Sequence, residues 1–363
     1  MGNLVPVAVY SPLYFHLLLV VIILTWLNSF QLKISSPTNI YSKHIFGGLL
    51  VSIIIIYIGA RPISGFYFGD MGTYADVYQH YAHHDVINYT QDQGFDWFMR
   101  LCADNITVNA FFFVCAFIYV FPLFILSRKL FEQYWYYSFL ILVGSFSFWA
   151  YGTNGIRNGL ATSLTLLAFA YTDRKTIMII LMIVAISFHK SVLIPIAAYS
   201  LTLFYKNTKN IFIFWLICIP VSLLIGDTFQ SFLGNLGIDD SRGSYLTTGN
   251  INNDDFSSTG FRWDFLCYSA IAAFSGWYFT FKREFNDALY KHLLNVYLIA
   301  NGFWILIIRA NFSNRFAYLS WFMMGIIIIY PLLKQQFFIK QHRVVCNTIV
   351  LYYIFTYILN AVL

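Results

Sequence analysis

Residues 108–127 read VNAFFFVCAFIYVFPLFILS and are followed at once by Arg128 and Lys129. A helix needs roughly 20 mostly apolar residues to cross the hydrocarbon core of a bilayer. This stretch supplies them without a single charge. The rest of the chain is built the same way: of 363 residues, 59% are hydrophobic and 10% charged, and mean hydropathy is +0.65. Soluble domains carry about 25% charged residues. Further apolar runs lie near 12–30, 45–60, 134–150, 155–172, 175–189, 191–205, 210–226, 263–281, 292–308, 315–333 and 344–362. The predicted fold class is therefore all-α, a polytopic integral membrane helical bundle of about 12 transmembrane helices. The first run lacks a basic flank and a small-residue cleavage site, so it reads as a retained helix rather than a signal peptide. No repeat or low-complexity tract divides the chain, and 1–363 is read as a single integral membrane domain.

Orientation follows from the placement of Lys and Arg, which concentrate in cytoplasmic loops. Alternate short connections hold Lys33 and Lys43, Arg128 and Lys129, Arg174 and Lys175, Lys206 and Lys209, Lys282, Arg283 and Lys291, and Lys334, Lys340 and Arg343. That face is assigned to the cytoplasm. Both termini and the two long connections, 61–107 and 227–262, then lie outside. Twelve of the 16 acidic residues also fall outside. The formal charge of +6 reflects this bias, and no basic stripe or motif suggests nucleic-acid binding.

The two faces differ in which cation they use. The inner set is ten Lys and four Arg; the outer set is seven Arg and one Lys. Topology needs only positive charge, whereas the planar fork of Arg grips phosphate or carboxylate bidentately. An Arg-rich outer face predicts an anionic ligand, with diphosphate the natural candidate. The alternative is that these Arg residues pair with the outer Asp residues.

Several constellations could carry chemistry. Asn154, Asn158, Ala161 and Thr165 share one helical face, with Arg157 on the first turn beside them. A charge at membrane depth is costly and by default marks a functional site; the alternative is an Arg snorkelling to the headgroups. Ser187-Phe188-His189-Lys190-Ser191 joins two runs almost without a loop, presenting His189 at an outer corner as a general base or hydrogen-bond donor. Arg309 and Arg315 bracket a short outer turn that feeds a helix N-terminus, a favourable place for an anion. In the first long connection, Arg61 is followed by Asp70, Tyr74, Asp76 and Tyr78; Asp70 or Asp76 is a candidate base or merely a solvated acid. Phe95, Phe98, Leu101 and Cys102 at helical spacing predict an amphipathic helix lying at the interface. The second long connection offers Arg242 and Tyr245. The five cysteines form no CxxC pair, so neither a disulfide framework nor a zinc site is expected. There is no Walker motif, GxSxG, HExxH or DxD. No metal or cofactor is expected.

Taken in order, these segments resemble the EpsG family, a Wzy-like group of bacterial exopolysaccharide and O-antigen polymerases. The resemblance rests on Arg61 with Asp70-Met71-Gly72-Thr73-Tyr74 and Tyr78, on Gln93-Gly94-Phe95, and on Asn154 to Ala161. It continues with Phe188-His189-Lys190-Ser191, Arg242 with Tyr245, and Asn314-Arg315-Phe316-Ala317-Tyr318. Asn158 stands where Gln is expected after the Arg. The resemblance implies a GT-C-like membrane glycosyltransferase of the bacterial inner membrane. Its donor and acceptor would both be undecaprenyl-diphosphate-linked glycans, with membrane lipids, a chain-length regulator and a flippase as further partners. Arg157 and Arg315 are then expected to bind the leaving diphosphate, with Arg61, Tyr74, Asn154, Arg242 and Arg309 as further binding residues. His189 and Asp70 are expected to orient or activate the acceptor. The rival readings are an O-antigen ligase with a lipid A acceptor, a transporter or flippase of an anionic lipid-linked glycan, and a membrane acyltransferase. A transporter predicts midplane charges and paired repeats, and neither is visible.

Overall fold

The second helix shows how this sequence starts its elements. Ser36 Oγ accepts the Asn39 N–H at 3.2 Å, and Pro37 occupies the first turn, where its missing N–H costs nothing. The computed structural model describes residues 5–85, 92–235, 260–309 and 313–362, without the side chains of 227–235, 313–315 and 362. Two compact units are formed: Met1–Val192 with Ile329–Leu363, and Leu193–Ile328. All the regular structure among the described residues is helical.

The first unit holds α1 (Val7–Gln31), α2 (Pro37–Gly59), α3 (Gly65–Phe68), α4 (Asp70–Ala82), α5 (Gln93–Ala103) and α6 (Val108–Phe131). It continues with α7 (Trp135–Val143), α8 (Phe146–Thr153), α9 (Ile156–Ala170) and α10 (Lys175–Phe188). The second unit holds α11 (Leu193–Phe204), α12 (Thr208–Asn235), α13 (Trp263–Trp277), α14 (Ala288–Leu306) and α15 (Ser313–Trp321). From there α16 (Met324–Lys334) runs back into the first unit, which α17 (Gln341–Tyr357) completes.

Every expected span is helical in whole or in part, and among the described residues six segments are long and apolar enough to cross a membrane. They are Val7–Gln31, Pro37–Gly59, Val108–Val143, Thr208–Gly226, Phe316–Lys334 and Gln341–Ala361. Several of the other runs form short helices, of 15 residues for α9, 14 for α10 and 12 for α11. The run 134–150 splits at Gly144-Ser145 into α7 and α8, of 9 and 8 residues. All nine residues of α7 are buried, so its apolar surface faces protein. On α1 and α2, by contrast, Leu24 is 60% and Ile53 58% exposed, as lipid-facing residues should be.

Breaks within an apolar interior leave helix-end carbonyls that need donors, and tyrosines supply many of them. Tyr14 Oη donates to Val143 O at the end of α7 at 2.8 Å. Tyr78 Oη lies 2.9 Å from Cys102 O and 2.7 Å from Ile106 O at the end of α5. Tyr10 and Tyr57 donate to each other's carbonyls, both at 2.7 Å. These tyrosines are spent inside the protein, while Phe66, Tyr41 and Trp97 stay exposed.

The first long connection folds as α3, α4 and α5. In α5 the buried residues are Phe95, Met99 and Cys102, while Leu101 is 48% exposed. Phe95 and Phe98 meet Phe111 of α6 and Phe188 of α10. The amphipathic face therefore packs on protein, and only its outward side is left for an interface.

Close helix approach positions this end of the bundle. A Cβ on Gly59 would lie 2.7 Å from Phe113 Cδ2 and 3.0 Å from its Cα. Gly59→Val is expected to force α2 from α6 at a cost of about 1–3 kcal/mol, read as lower thermal stability in detergent. In the second unit α14 packs against α11 and α12. There Trp215 Nε1 donates to Asn301 Oδ1 at 2.8 Å, and Asn301 Nδ2 to Ser320 Oγ at 3.0 Å.

Candidate functional site

A polar cluster lies in the first unit, where α9 begins. Arg157 sits on the first turn of α9, and its Nε donates to Tyr74 Oη of α4 at 3.0 Å. Its Nη1 donates to Asp92 Oδ2 at 2.7 Å, an ion pair whose side chains are 11% and 6% exposed. The other carboxylate oxygen, Asp92 Oδ1, accepts the backbone N–H of Lys190 at 3.3 Å. Asp92 stands at the N-cap of α5, where an Asp ordinarily caps its own helix. It makes no such bond here. Its carboxylate is spent on tying α9 to the corner after α10.

At that corner His189 is 4% exposed, and its Nδ1 accepts the Ser191 N–H at 3.1 Å. An accepting Nδ1 carries no proton, so the neutral ring bears its hydrogen on Nε2. In that state the ring carries a donor at Nε2 rather than a base. Ser191 Oγ bonds Asn158 Oδ1 at 2.9 Å, which closes the contact between the corner and α9.

Asn154, just before α9, spends its Oδ1 on the Asp70 N–H at 2.9 Å and so satisfies the first turn of α4. Gly69 makes this possible. Its φ is +51°, and a Cβ there would lie 2.5 Å from Asn154 Oδ1. The carboxylates of Asp70 and Asp76 belong to exposed residues. Gly94 has a similar packing role, because a Cβ would collide with Ser187 at the end of α10.

The outer arginines divide into groups. Arg100 pairs with Asp96 at 2.9 Å and lies over the Tyr81 ring; burial, followed by a hydrogen bond to Asp96, pushes the Tyr81 hydroxyl up to about 12. Arg262 grips Asp264 bidentately, at 2.9 and 2.6 Å. With Arg157 and Asp92, three of the seven follow the alternative of pairing with outer Asp residues. Two others hold backbone. Arg61, 4% exposed, donates to Ile58 O at 2.5 Å and Thr153 O at 3.2 Å, so its cation faces the C-terminal ends of α2 and α8. Burial pushes its guanidinium down to about 10, which leaves it charged at neutral pH. Arg309, in the second unit, donates to Leu223 O at 3.2 Å, beside the kink of α12 at Ile225. Arg242 and Tyr245 lie outside the described residues, and so does the side chain of Arg315.

The structure therefore brings together Arg157, Tyr74 and the His189 corner, and joins Asn154 to the backbone of Asp70. It adds Asp92, in sequence one of the twelve outer acids. The signal for it was its place directly before Gln93-Gly94-Phe95. No three His, Cys, Asp or Glu side chains gather as a metal site among the described residues.

A helical multi-pass membrane protein with a buried Arg–Asp pair, formed where a loop of short helices meets the start of α9, is the class these features define. The EpsG family model matches residues 44–363, and the chain belongs to that family of exopolysaccharide-related, polymerase-type membrane proteins. No curated protein and no solved structure matches the chain.

Proposed function

We propose that the protein is a polysaccharide polymerase that joins undecaprenyl-diphosphate-linked repeat units on the outer face of the cytoplasmic membrane. The observation that carries this reading is the convergence on one cluster of residues from four separate family-like segments. Tyr74, Asp92 beside Gln93, Arg157 and the 189–191 corner are 33 to 98 positions apart along the chain in the bonds that join them.

In the proposed reaction a hydroxyl oxygen of the incoming lipid-linked unit attacks the anomeric carbon of the growing chain. The bond from that carbon to the diphosphate oxygen breaks, and the electron pair leaves with the lipid diphosphate. Arg157, at the positive end of α9 and held in place by Asp92 and Tyr74, stabilises the charge that develops on the leaving group. Arg315 and Arg242 are proposed as further diphosphate ligands. His189 would donate to a phosphate or sugar oxygen through Nε2, and Asp70 is the proposed acceptor of the hydroxyl proton. Arg61 and Arg309 are proposed as secondary members, since their guanidinium groups already serve helix carbonyls. No metal is required by this scheme, because fixed cations do the work of charge stabilisation.

The test is complementation of a polymer-deficient host with Arg157→Ala, Arg315→Ala and His189→Ala at matched protein levels. Single-repeat products are expected from the Arg variants. For His189→Ala a milder loss is expected, with partial recovery in His189→Asn, which keeps a donor. Full-length polymer from all three alanine variants would sink the assignment. Topology is tested separately with a cysteine introduced at position 252. It should react with an impermeant reagent in intact cells; reaction only after the inner membrane is permeabilised would reverse the orientation.

A further inference from the structure

At the other end of α2 from Arg61 the first unit holds a cavity of about 750 Å³, between the end of α1 and the α16–α17 connection. The 23 residues of α2 separate the two by about 35 Å. Four cations line this cavity, Lys33, Lys334, Lys340 and Arg343, and no Asp or Glu lines it. None of the four forms an ion pair among the described residues.

The wall is built rather than loose. Gln341 Oε1 accepts the N–H groups of Phe337 and Phe338 at 3.2 and 3.1 Å, and its Nε2 donates to Leu332 O at 2.6 Å and Gln335 O at 3.1 Å. Arg343 lies over the Phe30 ring at 4.4 Å. At the rim, Ile339 is 98% and Phe30 46% exposed.

The positive-inside rule explains why cations lie on this face, but not why four of them surround one cavity. Like charges repel across such a space unless an anion fills it. An exposed isoleucine and a half-exposed phenylalanine beside the cations match a ligand that is anionic at one end and apolar at the other. Basic pockets at the cytoplasmic ends of membrane helices suit phosphate headgroups.

We propose that this cavity binds the phosphate headgroup of an anionic phospholipid of the cytoplasmic leaflet, with its acyl chains running past Ile339 and Phe30. The leaflet follows from the Lys-rich loops, and the proposal does not depend on the reaction assigned to the other face.

The test uses the full-length protein in nanodiscs of phosphatidylcholine with a minor fraction of phosphatidylglycerol, counting retained lipid by native mass spectrometry. Phosphatidylglycerol should be retained in preference. The Lys33→Gln/Lys334→Gln/Lys340→Gln variant should bind it about a hundredfold more weakly. The matching triple Lys→Arg variant should keep it, and Lys206→Gln/Lys209→Gln, which removes charge from another inner loop, should leave it unchanged. Equal retention by wild type and the Gln variant overturns the proposal, as does equal loss in the Gln and Arg variants. Thermal stabilisation by inorganic pyrophosphate without retained phosphatidylglycerol overturns the lipid source and reassigns the cavity to a soluble phosphate compound.

Discussion

Arg157→Ala is expected to lower polymer formation by about 100- to 1,000-fold, the usual cost of removing one preorganised donor from a developing negative charge. Single lipid-linked repeats should accumulate. The substitution also strands Asp92, whose side chain is 6% exposed, so lost activity alone would not separate chemistry from folding. The double variant Arg157→Ala/Asp92→Ala makes that separation. Removing both partners relieves the unpaired charge, so protein level and thermal stability should rise above those of either single variant, short of wild type by the lost Lys190 contact, while polymer stays absent. Arg157→Lys keeps the charge but loses the fork that reaches Tyr74 and Asp92 together. It should fall between wild type and Arg157→Ala. Polymer at wild-type level from the stable double variant would assign the pair a purely structural role.

Asp92→Ala is expected to be the most destabilising single change in the cluster. Breaking a buried pair by removing one partner costs about 3–5 kcal/mol, because the remaining charge is left without compensation. Here the loss is compounded, since the same carboxylate holds the Lys190 N–H and so the corner that carries His189. Thermal unfolding in detergent is the direct measurement. Asp92→Asn should lie between, because an amide oxygen can still accept from one of the two donors. If Asp92→Ala unfolds at the wild-type temperature, the pair is not the brace between α9 and α10 that the geometry indicates.

The sequence was most legible where one local rule acts on many residues. Apolar runs located the helices, each of which forms in whole or in part where its run lies. It was least legible where two helices abut. The break at Gly144-Ser145 falls inside a single apolar run, and the distant Tyr14 hydroxyl satisfies the Val143 carbonyl exposed there. The preference for Arg on the outer face also had two physical causes that composition alone could not separate. An outer Arg can hold a ligand anion, or it can hold an Asp or a helix end. Among the described side chains the second use is visible for Arg61, Arg100, Arg157, Arg262 and Arg309.

By itself the stretch 108–127, with its neighbours, determined that this is a helical membrane protein, because the length and polarity of a span are local properties read directly from residue order. The ordered motifs likewise pointed to the EpsG family. Only the tertiary structure decided which motif residues meet. Asp92 and Arg157 are 65 positions apart, and nothing local to either names the other. Their pairing depends on the close approach of α5 to α10 at Gly94 and on α9 beginning beside α4, and those are properties of packing.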